Sequence, residues 1–309
     1  MQKIRFILFF ILLHTGLCAQ DTLKIVVNPE DKHSASYTIF FPDSAELKGY
    51  LILIPAFGET QEAVSVQTAL PRMAAKNGIL TVIPTFRTGT QAFGIDSLSQ
   101  ASLQEIIKDV QRRYLLAHWD MYIGGFSIGG SSAIKYAERA QKEPGLFKPK
   151  AVFAIDPPLD FERFYQAALR SVRLAGANKP NPESVYMIQR IKEEMGGTPE
   201  AVPHQYHRLS PYSFSDTTQR AVKCLVNTPL RIYCEPDIQW WMQERSFDLS
   251  NMNVTDAAAM INELNRLGNK KASLILTQDK GFRNPDKKKH PHSWSIVDNQ
   301  DLINWLLAQ

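Results

Sequence analysis

The stretch Ile123-Gly124-Gly125-Phe126-Ser127-Ile128-Gly129-Gly130-Ser131-Ser132-Ala133 joins the end of an apolar run to the start of an amphipathic one. Met121–Phe126 predicts a strand and Ile128–Lys142 a helix, so Ser127 falls on the turn between them. Within the stretch lies Gly125-x-Ser127-x-Gly129. A sharp strand-to-helix turn lifts a serine hydroxyl clear of the sheet, and a glycine on either side leaves room for the strained backbone. The helix start adds the backbone amide of Ile128 and a dipole suited to developing negative charge.

Outward from this turn, short β-branched runs alternate with longer amphipathic ones. Strands are predicted at Leu23–Val27, Ser36–Phe41, Tyr50–Ala56, Ile79–Phe86, Met121–Phe126, Ala151–Ile155, Leu230–Cys234 and Ala272–Thr277. Leu51-Ile52-Leu53-Ile54 and Ser273-Leu274-Ile275-Leu276 are nearly continuous apolar runs, the mark of strands buried on both faces of a parallel sheet. Helices are predicted at Ser99–Leu116, Ile128–Lys142, Asp256–Leu267 and Asn299–Leu307. The alternation gives an α/β class with a mostly parallel, wound sheet. The first two strands have no room for a helix between them and should form an antiparallel edge. Residues 159–228 break the rhythm with three helical patterns, Asp160–Gly176, Pro182–Gly196 and Ser215–Cys224. They read as a helical cap over one end of the sheet, or as crossover helices grown long.

The composition excludes several classes. With 309 residues, 44% hydrophobic and 21% charged, the chain is neither disordered nor a coiled coil. A net charge of +4 without a basic block gives no reason to expect nucleic acid as a partner. Lys3 and Arg5, the apolar run from Phe6 to Leu13 and the small residues before Gln20 follow the pattern of a secretory signal peptide over residues 1–19. Its removal takes the two basic residues Lys3 and Arg5 with it, +4 becoming +2. No later stretch is apolar enough to span a bilayer, so no membrane contact is expected of the mature chain, and secretion or the periplasm is its expected place. A lipid anchor on Cys18 is disfavoured by Leu17 before it. Cys224 and Cys234 remain, as a pair or as two buried thiols.

A second element, Leu53-Ile54-Pro55-Ala56-Phe57-Gly58-Glu59-Thr60, follows a predicted buried strand about seventy residues before Ser127. With strand order, serine turn and this loop together, residues 35–309 resemble the α/β-hydrolase superfamily. Gly124-Gly125-Phe126-Ser127-Ile128-Gly129-Gly130 is most similar to secreted bacterial esterases of the esterase D and feruloyl esterase type. The C-terminal third also resembles prolyl-oligopeptidase-like domains.

The resemblance implies a serine nucleophile at Ser127, followed along the chain by an acid and then a histidine. It implies an oxyanion hole from the amide of Ile128 and a second amide in the 53–60 loop, at Phe57 or else Ala56. The acid is expected just past Leu230–Cys234, at Asp237, with Glu235 as rival. Asp156 is a third candidate, although an aspartate before Pro157-Pro158 also suits a turn. The base is expected in His290-Pro291-His292-Ser293-Trp294. His292 carries the Ser-Trp that follows the catalytic histidine in the resembled esterases, and His290 is the alternative. Pro291 departs from the glycine usual there. Trp240, Trp241 and Trp294 could border the substrate cleft or equally pack in the core.

His204-x-x-His207 has metal-like spacing but no acidic partner motif, so no metal is expected. No organic cofactor is implied. The expected activity is hydrolysis of a small-molecule or polymer-linked carboxylic ester, with peptide or amide bonds as the enzymatic alternative and an inactive binding protein as the other.

Overall fold

The computed structural model describes residues 22–43 and 46–309, so the predicted leader and Cys18 lie outside the described residues. Its strands are β1 (Thr22–Val26), β2 (Ser36–Phe40), β3 (Gly49–Ile54), β4 (Ile79–Thr85), β5 (Met121–Phe126), β6 (Ala151–Ile155), β7 (Leu230–Cys234) and β8 (Ala272–Leu276). They form one sheet in the order β1-β2-β4-β3-β5-β6-β7-β8. β1 and β2 pair antiparallel, as does β2 with β4, and every pair from β4 onward is parallel.

Helices on the two faces are α1 (Gln61–Gln67), α2 (Leu70–Lys76), α3 (Ser97–Tyr114) and α4 (Ile128–Lys142). Then come α5 (Phe161–Ala175), α6 (Pro182–Met195), α7 (Pro203–Leu209) and α8 (Arg220–Cys224), followed by α9 (Ile238–Arg245), α10 (Val254–Arg266) and α11 (Asn299–Leu307). The apolar strands split by alternate residues. Tyr50, Ile52 and Ile54 of β3 join the core shared with α3, α4 and α10, while Leu51 and Leu53 join the one shared with α1, α2 and α11. A strand covered on both sides has no polar face, which is why these runs are continuous. β8 departs from that expectation. It is the sheet edge, so Leu274 and Ile275 are half-buried and Leu276 is exposed.

Helix ends follow side-chain chemistry. Asp96 caps α3 by accepting from the amides of Leu98 and Ser99, and Asp298 caps α11 through Gln300 and Asp301. Between β6 and β7, α5 begins at the Asp160 cap and packs on α6, and their apolar side chains gather with Ile128 and Phe57 over the end of the sheet. α8 instead lies against α4 and α10, with Val222 and Leu225 in the main core. Cys224 and Cys234 are both free thiols. No helix among the described residues is long and apolar enough to cross a membrane.

The chain runs outward from β3 to β4, then returns past β3 to β5. The connections therefore leave in opposite directions at the β3–β5 seam, and a crevice opens there at the carboxyl ends of the strands.

Candidate active site

Ser127 sits at that seam, between the last residue of β5 and the first of α4. Its backbone is at φ 53 and ψ −126, a region non-glycine residues seldom occupy. Three bonds fix it. The Ser127 amide donates to the Ile155 carbonyl at 2.8 Å, and the Ser127 carbonyl accepts from Gly130 and Ser131 at 2.9 and 3.2 Å. Close approach of β3 requires glycine at Gly129: a Cβ there would stand 2.3 Å from both the Ile54 and Pro55 carbonyl oxygens. Although Ser127 occupies the N-cap position of α4, its hydroxyl makes no capping bond, which leaves it available.

β6 is the neighbour of β5, with Phe126 opposite Ile155. Ser127 and Asp156 thus leave adjacent strands at the same level. Asp156 also has positive φ, 44°, its amide donating to the Tyr233 carbonyl at 2.7 Å and its carbonyl accepting from the Asn253 side chain at 2.8 Å. Its carboxylate meets Nδ1 of His292 at 2.5 Å. That bond leaves Nε2 as the free nitrogen, and the ring packs on Phe126 with centroids 4.6 Å apart. The loop ahead of His292 is stitched by Glu235, which accepts from the Thr277 hydroxyl and from the amides of Lys280 and Gly281 at 2.9–3.0 Å. Pro291 does not keep His292 from this position.

The expected placement of Asp237 beside the histidine is corrected by this geometry. Asp237 leaves β7, one strand further from Ser127, and starts α9 by accepting from the Trp240 amide at 3.0 Å. Its other oxygen pairs with Lys289 at 2.7 Å, and that cation holds its carboxyl below the usual range. Glu235 is consumed by the loop. Asp156 therefore holds the place expected for Asp237.

On the β3 side, the Glu59 amide donates to the Ala56 carbonyl at 3.0 Å, closing a turn with Gly58 at φ 74. The Ala56 amide is taken by the Glu59 carboxylate at 2.9 Å and the Gly58 amide by Thr90 at 2.8 Å. Among the described residues, the amides of Phe57 and Ile128 have no acceptor. Both residues line a cavity of about 100 Å³, open to solvent, which Ser127, Asp156 and His292 also line.

Phe164, Met187 and Phe247 give that cavity apolar walls, the first two from α5 and α6. Of the three tryptophans expected at the cleft, only Trp241 lines it. Trp294 is 2% exposed, packs on Phe126 and donates its Nε1–H to Glu59, because the residues after His292 turn into the core. Trp240 packs on His290 at 4.8 Å and borders a separate groove with Asp237 and Lys289. His290 is buried, and burial with the nearby charges of Arg283, His292 and Arg245 pulls its pKa down to about 3. An imidazole held neutral in this way is a poor proton acceptor near neutrality.

His204 and His207 do not converge on a common ligand, since His207 bonds Ser215. No group of three His, Cys, Asp or Glu side chains suited to a metal ion occurs among the described residues. Lys289 pairs with Asp237 and Asp279 at the loop rim.

No protein-family model and no curated protein sequence matches the chain. Solved structures do. An S-formylglutathione hydrolase from Agrobacterium tumefaciens superposes with a TM-score of 0.56 at 14% identity, over 94% of this chain and 96% of that one. The esterase Est2 of Thermogutta terrifontis gives 0.52 at 12%, over 93% and 92%. An acylaminoacyl peptidase from Pyrococcus horikoshii gives 0.55 at 10%, over 89% of this chain and 39% of that longer one. The chain has the α/β-hydrolase fold.

Proposed function

We propose that this chain is a serine hydrolase of carboxylic esters, with Ser127 as nucleophile, His292 as base and Asp156 as the orienting acid. The observation that carries the reading is the convergence on one cavity of a serine on a strained turn, a histidine held by a carboxylate, and two backbone amides without acceptors.

His292 Nε2 takes the Ser127 proton as Oγ attacks the acyl carbon, and the carbonyl π electrons move to its oxygen. The amides of Phe57 and Ile128 stabilise that oxyanion. On collapse, His292 returns the proton to the leaving alkoxide and an acyl-serine remains. Water then repeats the sequence, its proton going to His292 and its oxygen to the acyl carbon, and Ser127 recovers its hydrogen as the acid departs. Asp156 keeps Nδ1–H in place and balances the imidazolium that forms twice per turnover. The aromatic lining from Phe57, Phe164, Trp241 and Phe247 suits a small apolar or aromatic ester. Lys3, Arg5 and the apolar run that follows support export of the mature chain to the periplasm or medium.

The test is a panel of p-nitrophenyl and aryl esters of graded acyl length beside aminoacyl anilides, assayed on the mature protein. Esters of short or aromatic acids are expected to turn over, and Ser127→Ala to lose at least about a thousandfold. Hydrolysis of the anilides alone would replace this reading with a peptidase.

A further inference from the structure

Glu59 is half-buried, and burial pushes its carboxyl above the usual range although it accepts three hydrogen bonds. One comes from the Ala56 amide at 2.9 Å. The other two come from Nε1 of Trp294, shared between the two oxygens at 3.0 and 3.1 Å. Neither donor needs a carboxylate for its own sake: an isolated turn leaves its first amide to water, and an indole N–H is satisfied by any carbonyl. A desolvated charge spent on both points to a purpose in joining them.

The two arms end at different parts of the site. Backward along the chain, Glu59 holds Ala56 from both sides, its backbone amide on the Ala56 carbonyl and its carboxylate on the Ala56 amide. In such a turn the amide of the second residue has no partner inside the turn. Here that amide belongs to Phe57, and the double clamp fixes the direction in which it points. Across the chain, the carboxylate grips Trp294, two residues beyond His292. Trp294 and His292 both pack on Phe126, at centroid separations of 5.3 and 4.6 Å. One carboxylate thereby joins the loop that would hold the oxyanion to the segment that carries the base.

We infer that Glu59 is a positioning residue: it sets the Phe57 amide relative to His292, so that oxyanion donor and base act on one acyl group together. This inference rests on the esterase reading above. Glu59 does not line the cavity that holds Ser127, so its effect passes through the two loops and not through substrate contact.

The test compares Glu59→Gln and Glu59→Ala with wild type on one neutral ester, with folding checked by circular dichroism and active sites counted by fluorophosphonate labelling. In a glutamine one of the two oxygens becomes an NH2, and because Trp294 Nε1 lies 3.0 and 3.1 Å from the two oxygens, either placement sets donor against donor and pushes the arms apart. The expected result is a fall in kcat of at least fivefold for Gln and a larger fall for Ala, with KM within threefold of wild type, since a misplaced oxyanion donor weakens the transition state and not the bound ester. Trp294→Phe keeps the apolar packing and removes one arm, and should lower kcat by less than Glu59→Ala. If Glu59→Ala does not fold, the Gln variant decides. A fall below fivefold in Glu59→Gln, or a loss lying wholly in KM, overturns the inference. An inert wild-type protein would instead overturn the esterase reading, so the two failures are distinct.

Discussion

Replacing Asp156 by asparagine should disable the site without disturbing the fold. The carboxylate accepts from His292 Nδ1 at 2.5 Å, and this bond dictates that the proton sits on Nδ1 and the lone pair on Nε2. An asparagine amide can turn its NH2 toward Nδ1. The ring then carries its proton on Nε2 and cannot accept one from Ser127. The same substitution in a related triad left geometry intact and cost about four orders of magnitude in turnover, which is about 5.4 kcal/mol of transition-state stabilisation. Asp237→Asn is the control. Asparagine caps a helix as well as aspartate does, and the Lys289 pair it would lose is partly exposed, worth at most about 1 kcal/mol. The assay is kcat on an activated ester near pH 7.5, with circular dichroism and thermal unfolding on both variants. Asp156→Asn should fall at least about a thousandfold while Asp237→Asn stays within about twofold. Asp156→Asn keeping a tenth of wild-type turnover, or Asp237→Asn being the crippled variant, would refute the assignment.

Two further outcomes follow from the packing. Gly129→Ala places a Cβ 2.3 Å from two main-chain oxygens of the β3 end, which no side-chain shift relieves. It should cost at least about 2 kcal/mol and most of the activity, so an unchanged melting temperature by scanning fluorimetry would contradict the described turn. His290 has its pKa lowered from 6.5 to about 3 on folding. As pH falls below 6.5 the unfolded chain takes up this proton before the folded one does. Its contribution, full above 6.5, is lost toward pH 3 at no more than about 1.4 kcal/mol per pH unit. Urea unfolding at pH 7, 5.5 and 4.5 should show a shallower pH dependence in His290→Phe than in wild type, and equal slopes would count against a buried neutral His290.

The strands were legible because each core run is apolar on both faces, and the antiparallel β1–β2 edge followed from a connection too short for a helix. The position of Ser127 was legible for the same local reason: strand, glycines and helix are contiguous in sequence. The acid was not. Asp156 looks like a turn residue before two prolines until the sheet order places β6 beside β5 and the register puts it level with Ser127. Strand order is a long-range property, and nothing between residues 150 and 160 encodes it. Trp294 faces the core and not the cleft because its indole N–H is taken by Glu59, 235 residues earlier, a contact that no local pattern encodes. The short helices α1, α2, α7 and α9 escaped because each is eight residues or fewer, too short for a clear period.

Every catalytic role proposed for this site depends on Ser127 being an activated nucleophile. Incubating the mature protein with a fluorophosphonate, in which serine oxygen displaces fluoride at phosphorus, and mapping the adduct by peptide mass spectrometry tests it most directly. One phosphonyl group per chain is expected, on Ser127, absent from Ser127→Ala and slowed in Asp156→Asn. A folded protein that hydrolyses esters while taking no label, or taking it on another residue, would contradict it.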